Sequence, residues 1–185
     1  MTTRDLVLVA LFAALTAVLG LIPPVTVGFL PVPITMQTLG VMLAGLMLGP
    51  VRGGLALALF VLLVALGLPV LAGGRGGFGI LLGPTGGFII GWIFGAAVVG
   101  ALAQRFTRAG AWSAPDLAMA VVACAVGGIG VVYAFGVPWL SAVTGTSLAQ
   151  AATGMVVFLP GDALKVVAAV LVAQGVQRAY PIALR

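Results

Sequence analysis

LALALFVLLVALGLPVL, residues 55–71, runs for 17 positions without one charged side chain. A hydrocarbon core needs about 20 apolar residues as helix, and fewer where the helix is short or bent. The stretch therefore reads as a membrane-crossing helix, and the rest of the chain repeats its character. Of 185 residues 63% are hydrophobic and 6% charged, and the mean hydropathy is +1.33. A soluble domain carries about a quarter charged residues. The chain is read as an integral membrane protein.

Upstream, residues 34–48 form a shorter apolar segment stopped by Gly49-Pro50, and residues 6–22 form another stopped by Pro23-Pro24. The charged start and small residues of that first segment resemble a signal peptide. Several more apolar segments follow it, so it is read as a retained first span. Downstream come residues 88–102, 117–135 and 161–176. Residues 155–159 are too short to cross alone, and with 147–154 they read as a lid or a re-entrant piece. Six spans with both termini cytoplasmic place Arg4, Arg52, Arg105, Arg108, Arg178 and Arg185 inside and only Arg75 and Lys165 outside, as the positive-inside rule asks. Five spans would reverse the C-terminal arginines. The expectation is one all-α membrane domain over residues 1–185, with six transmembrane helices and an outward-facing pocket. The loops are too short to hold a second domain.

Composition also excludes functions. The chain has no histidine, one cysteine and three acids. It cannot assemble a Ser-His or Cys-His nucleophile, a carboxylate dyad or a metal cage, so neither an enzyme nor a metal site is expected. The basic residues are scattered singly, which speaks against nucleic acid. No Lys-Ser or Lys-Thr pair follows the glycine-rich loop, so no ATP site is expected. Cys124, inside an apolar run, is read as a packing residue.

In this topology the outer half holds three formal charges, Arg75, Asp162 and Lys165. Ionisable groups near hydrocarbon that do not serve topology are site candidates. Asp162 and Lys165 stand three apart, hence on one helical face. Two readings stay open: an i,i+3 ion pair capping a helix that starts at Pro160-Gly161, or an acceptor and a donor side by side in a pocket. Arg75 stands alone among Gly73, Gly74, Gly76, Gly77 and Gly79. It is either a solvated loop arginine or a lid residue reaching for an anion. Thr35, Gln37 and Thr38 fall at the outer start of the second span, where polar groups satisfy backbone, though a buried Gln37 amide needs partners. Phe78, Phe88, Trp92, Tyr133 and Trp139 fall in the outer half as core, interfacial-belt or pocket residues. Gly83, Gly87, Gly91 and Gly95 recur every four residues, and Ala10/Ala14 and Ala13/Ala17 make two small-xxx-small pairs in the first span. These patterns mean close helix packing, within this chain or with a partner.

Three ordered motifs, VPITMQTLGVMLAGLMLGP (32–50), GGFGILLGPTGGFIIG (76–91) and PGDALK (160–165), closely resemble the BioY family of biotin-binding membrane subunits. These are the substrate-capture (S) components of energy-coupling factor (ECF) vitamin transporters, and the likeness spans essentially the whole chain. It implies a six-helix fold with a vitamin pocket closed by loops, in a bacterial or archaeal cytoplasmic membrane. It also implies a transmembrane T subunit and two cytoplasmic ATPases as partners, with biotin as transported ligand and no cofactor. PGDALK matches the family's pocket motif and carries over Asp162 and Lys165 as ligand-binding residues. The helix-one pattern matches the docking surface for the T subunit at Ala10 and Ala14, with Ala13 and Ala17 behind them. Some relatives have an asparagine in the pocket. This chain contains none, so Gln37 or Thr85 would substitute.

The chemistry of biotin suits these residues. Asp162 can accept from a ureido N–H, Lys165 can donate to the ureido carbonyl or hold the aspartate in place, and Arg75 is the cation for the tail carboxylate. Phe78, Phe88, Trp92 and the surfaces of Gly86 and Gly87 would hold the ring and aliphatic chain, with Thr35 and Tyr133 completing the wall. Two alternatives remain: an S component for another vitamin, and a structural membrane protein without ligand. Homo-oligomers are compatible with either.

Overall fold

The structure, a computed structural model, describes residues 1–28, 31–106 and 112–179. Arg108 and Arg185 lie outside the described residues. Among these the chain is helical, with isolated bridges (Val25 with Ile34, Leu71 with Arg75) in place of strands. The helices are α1 (Thr3–Leu19), α2 (Gln37–Ala65), α3 (Phe78–Leu82), α4 (Gly86–Phe106), α5 (Ala114–Ala123), α6 (Val132–Thr144), α7 (Leu148–Gly154) and α8 (Leu159–Ala179). A π-helical segment, Cys124–Val131, joins α5 to α6, and a 3-10 turn, Met155–Phe158, joins α7 to α8. Four stretches are long and apolar enough to cross a membrane: Gln37–Ala65, Gly86–Arg105, Ala114–Thr144 and Leu148–Ala179.

That count of four is lower than the six expected, for two local reasons. α1 has 17 residues: it starts earlier than expected, at a capping box of Thr2 and Asp5, and ends earlier too, at Leu19 with Gly20 as C-cap instead of at Pro23-Pro24. α2 joins the expected second and third segments in one element bent at Gly49 (φ 81°, ψ −176°), which only glycine adopts readily, followed by Pro50. The packing shows that the chain doubles back there. A Cβ on Gly45 would meet the Ala96 carbonyl at 2.6 Å, and one on Gly54 would approach Ala97 and Ile93 at 3.5 and 3.6 Å. A Cβ on Gly100 would strike the Gly49–Pro50 peptide itself. Both arms therefore descend the same face of α4 from a bend at its cytoplasm-predicted end.

Gly100→Val tests this account. Its branched side chain would push against backbone at the bend, which cannot rotate away, and overpacking of this kind costs about 1–3 kcal/mol. The variant is expected to unfold at lower temperature in detergent than Gly79→Val, where a Cβ meets nothing. Equal melting of the two would contradict the doubled-back α2.

The glycine series of the second motif packs helix on helix. Gly87 and Gly91 sit against Phe135, with Trp139 and Val132 beside them, and Gly95 against Gly127 and Val132. Gly127 in turn sits on Val99, and Gly128 admits Met42. The π segment thus seats its glycines on α4 and α2 just before Tyr133. Cys124 is buried as a packing residue.

Residues 147–159, expected as a lid or a re-entrant piece, are helical, and Met155 and Phe158 among them line the cavity described below. Ser147 caps α7 with Gln150 in a capping box, and the chain continues without a break through the 3-10 turn into α8. Charges separate to two ends. Asp5 pairs with Arg52 at 3.2 Å near the Gly49 bend, and Arg105 lies in the last turn of α4. Asp162, Lys165 and Arg75 share the other end.

Candidate functional site

At that second end the α2, α4, α6 and α8 starts, the 3-10 turn and two loops enclose a cavity of about 60 Å³. Nine residues singled out in the sequence line it: Thr35, Gln37, Arg75, Thr85, Phe88, Trp92, Tyr133, Asp162 and Lys165. They come from five separate stretches of chain, and the fold brings them together.

The charged pair lies on the first turns of α8. Lys165 Nζ donates to Asp162 Oδ1 at 3.0 Å, and the Tyr133 hydroxyl donates to Asp162 Oδ2 at 2.6 Å. Both residues are only 5% exposed. The helix-cap reading does not fit this geometry. A cap serves orphan N–H groups at a free helix start, whereas the Leu159 N–H already donates to the Val156 carbonyl of the preceding turn. A buried ion pair is also weak in stabilising a fold, because desolvation offsets its Coulomb gain. Both side chains line the cavity.

Phe88 and Tyr133 meet edge to face, with centroids 6.1 Å apart at 84°, and Trp92 leans on Phe60 at 6.0 Å. Gly136 leaves room for the Phe88 ring. Arg75 is carried by a tight loop in which Gly73 (φ 79°) and Gly74 (φ 69°) take left-handed conformations. Its Nε donates to the Ala72 carbonyl at 3.1 Å, a bond that does not use the two terminal nitrogens.

Three expected pocket residues are not brought to the cavity. Phe78 opens α3 with its side chain 61% exposed, because the loop turns it away from the bundle. Gly86 lies against the Leu81 carbonyl and the Trp139 indole, and Gly87 against Trp139 and Phe135, so both serve helix packing. Gln37 reaches the cavity wall, but its amide has other partners: Nε2 donates to the Thr16 and Val70 carbonyls, and Oε1 accepts from the Ala72 N–H. Of the four alanines in α1, Ala10 and Ala14 are exposed and Ala17 is half-buried. Ala13 is 2% exposed inside the core against α2, so it is turned away from any partner.

Sequence reasoning missed most of the apolar wall, including Val32, Leu71, Ile89, Val132, Met155 and Phe158. Nothing distinguishes such residues from lipid-facing ones in a chain this hydrophobic. It also left Thr38 outside the site. Thr38 Oγ1 and Trp92 Nε1 are buried side-chain atoms without a hydrogen-bond partner among the described residues, and both residues line the cavity. Buried polar groups are rarely left so. The indole N–H, a donor only, calls for an acceptor inside the cavity.

The family model described as the BioY family matches residues 1–182. A protein of Rhizobium etli named Biotin transporter BioY is 50% identical over 182 residues, covering 98% of this chain and 97% of its own. A Rhodobacter capsulatus protein of the same name is 46% identical over 190 residues, again covering 98% and 97%. Among solved structures, the S-component for biotin from an ECF-type ABC transporter superposes with a TM-score of 0.86. It is 31% identical, and the match covers 96% of this chain and 94% of that one.

Proposed function

Since the chain belongs to the BioY family, we propose that it is the biotin-binding S component of an ECF transporter, a transport protein and not an enzyme. It captures biotin with high affinity on the outer side of a bacterial or archaeal cytoplasmic membrane and mediates its uptake. A T subunit and two cytoplasmic ATPases complete the transporter; biotin is cargo, and no cofactor is needed. The chain crosses six times, through α1, the two arms of α2, α4, the stretch Ala114–Thr144 and the stretch Leu148–Ala179, with both termini cytoplasmic. The charge separation supports that orientation, since Arg52 and Arg105 gather at one end and the cavity at the other.

The observation that carries the reading is the buried Asp162–Lys165–Tyr133 cluster facing a cavity with apolar walls. Each Asp162 oxygen keeps a lone pair beyond its protein partner, enough to accept from a ureido N–H. Lys165 keeps two further donors for the ureido carbonyl, and Trp92 Nε1 and Thr38 Oγ1 add unpartnered polar atoms. Phe88, Ile89 and Met155 cover the bicyclic ring and the chain. Arg75 takes the tail carboxylate through its terminal nitrogens. Purification in mild detergent followed by mass spectrometry of the co-purifying small molecule tests the proposal. Biotin is expected; a different vitamin would assign the chain another substrate, and no ligand together with no thermal stabilisation by biotin would reduce it to a structural protein.

Arg75 gives a separate prediction. A charge-assisted hydrogen bond is worth about 1.5–3 kcal/mol when shielded, roughly ten- to a hundredfold in affinity. Arg75→Ala is expected to weaken biotin by about that factor while leaving biotin methyl ester nearly unchanged, as read by titration of both ligands. Equal losses for the two would return Arg75 to a role in loop structure.

A further inference from the structure

We infer that Gln37 is the positioning residue for Arg75: its buried amide latches the arginine loop to the crossing of α1 and α2 and so sets where the guanidinium meets a carboxylate. The inference rests on the biotin reading and adds to it a residue that acts through another.

Gln37 opens α2 and is 0% exposed. Its Nε2 donates to the Thr16 carbonyl of α1 at 3.1 Å and to the Val70 carbonyl at 3.0 Å. Its Oε1 accepts from the Ala72 N–H at 2.9 Å. Two carbonyls on one side and an N–H on the other fix the orientation of the amide, since the flipped form would set like against like. Three of its four hydrogen-bonding positions are therefore used inside the protein, and one acceptor lone pair is left over. A side chain spent in this way contributes little to a ligand directly.

Ala72 carries the effect onward. Its N–H is held by Gln37, and its carbonyl accepts from Arg75 Nε at 3.1 Å. The loop closes on itself around this point: Leu71 N–H donates to the Arg75 carbonyl at 3.0 Å, and Arg75 N–H donates back to the Leu71 carbonyl at 3.2 Å. Ala72 is fully buried, so neither of its bonds is exchanged for water. Two hydrogen bonds through one residue, on the two peptide units that flank its Cα, thus connect the Gln37 amide to the guanidinium. The site is also shaped to admit the amide, because a Cβ on Gly20 would come within 2.9 Å of Gln37 Nε2 and 2.7 Å of the Val70 carbonyl. Removing the amide frees the buried Ala72 N–H, the buried Thr16 carbonyl and the half-buried Val70 carbonyl, and the loop satisfies its own two groups by shifting toward water. The shift carries Arg75 with it and leaves Asp162 and Lys165, on α8, in place.

The test uses Gln37→Met, which keeps the length and loses the amide, and Gln37→Glu, which keeps the shape and carries less donor capacity. Biotin and biotin methyl ester are titrated into each, alone and combined with Arg75→Ala. Gln37→Met is expected to weaken biotin by about tenfold and the ester by less than about twofold, and to add less than about twofold once Arg75 is already alanine. Gln37→Glu, which sets an oxygen against the Thr16 and Val70 carbonyls, is expected to follow the same pattern with a loss at least as large, and the hydrogen-exchange arm below covers the case in which the methionine variant binds no ligand. Equal losses for biotin and its ester, or effects that add to those of Arg75→Ala, would overturn the inference and make Gln37 a direct contact or a general packing residue. Hydrogen exchange supplies an arm that needs no ligand. The amides of residues 71–76 should exchange faster in Gln37→Met, with those of α4 unchanged. Unchanged exchange at 71–76 would also overturn the latch. A wild-type protein that binds no biotin would instead remove the functional reading, and the exchange arm would still decide the latch.

Discussion

Asp162→Ala is expected to lower biotin affinity by about a hundredfold or more. The loss of a charge-assisted hydrogen bond accounts for about 1.5–3 kcal/mol. Leaving a charged partner buried adds to that, since breaking a buried pair by removing one member costs about 3–5 kcal/mol. Lys165 is that partner, 3.0 Å from the carboxylate and 5% exposed, and the Tyr133 hydroxyl loses its acceptor as well. Lys165→Ala is expected to lose a similar amount. The double variant should lose less than the sum of the two, because the side chains act as one unit. Titration of biotin into wild type and the three variants, each shown to be monodisperse, reads this directly. Additive losses would mean that the two residues contact the ligand independently, and unaltered binding would remove both from the site.

The second large effect concerns α1. Ala10 and Ala14 lie one turn apart on its exposed face, between Leu6, Leu11 and Val18, each more than half exposed. Close approach of a partner helix depends on small side chains there. Under the proposed assembly, Ala14→Trp should abolish co-purification with a T subunit while biotin binding by the isolated chain persists. Ala13→Trp should behave in the opposite way. Its side chain is 2% exposed in the core, so an indole there would disrupt the fold and lose biotin binding itself. Assembly that survives Ala14→Trp would move the docking surface to another face.

What was legible in the sequence follows from which forces act locally. Gly49-Pro50 breaks the helix through its own backbone geometry, so that break could be read in advance, whereas α1 ends at Leu19 with Gly20 as its C-cap, ahead of Pro23-Pro24. At Gly49 the break falls where the sequence places it, in a residue with non-helical backbone (φ 81°, ψ −176°) between two helical arms. The helical form of residues 147–159 was not legible, because a helix of seven residues followed by a 3-10 turn carries too short an apolar pattern. In the site, Asp162 and Lys165 stood out because charge is rare in this chain. Tyr133 was placed only as one aromatic among several, since its bond to Asp162 spans 29 residues and leaves no mark in sequence. Gln37 was singled out for the right reason, an amide that needs partners, and the fold supplies those partners from α1 and the Arg75 loop. Phe78 and Ala13 were misplaced because helical phase relative to the bundle depends on neighbours that sequence spacing does not give.

The most direct measurement is a crystal structure of the chain grown with biotin. The account predicts the ureido ring within hydrogen-bond distance of Asp162 and Lys165, the ring system against Phe88 and Trp92, and the tail carboxylate at the terminal nitrogens of Arg75. Biotin seated elsewhere, or seated in this cavity with its carboxylate at Lys165 and its ureido ring remote from Asp162, would contradict it.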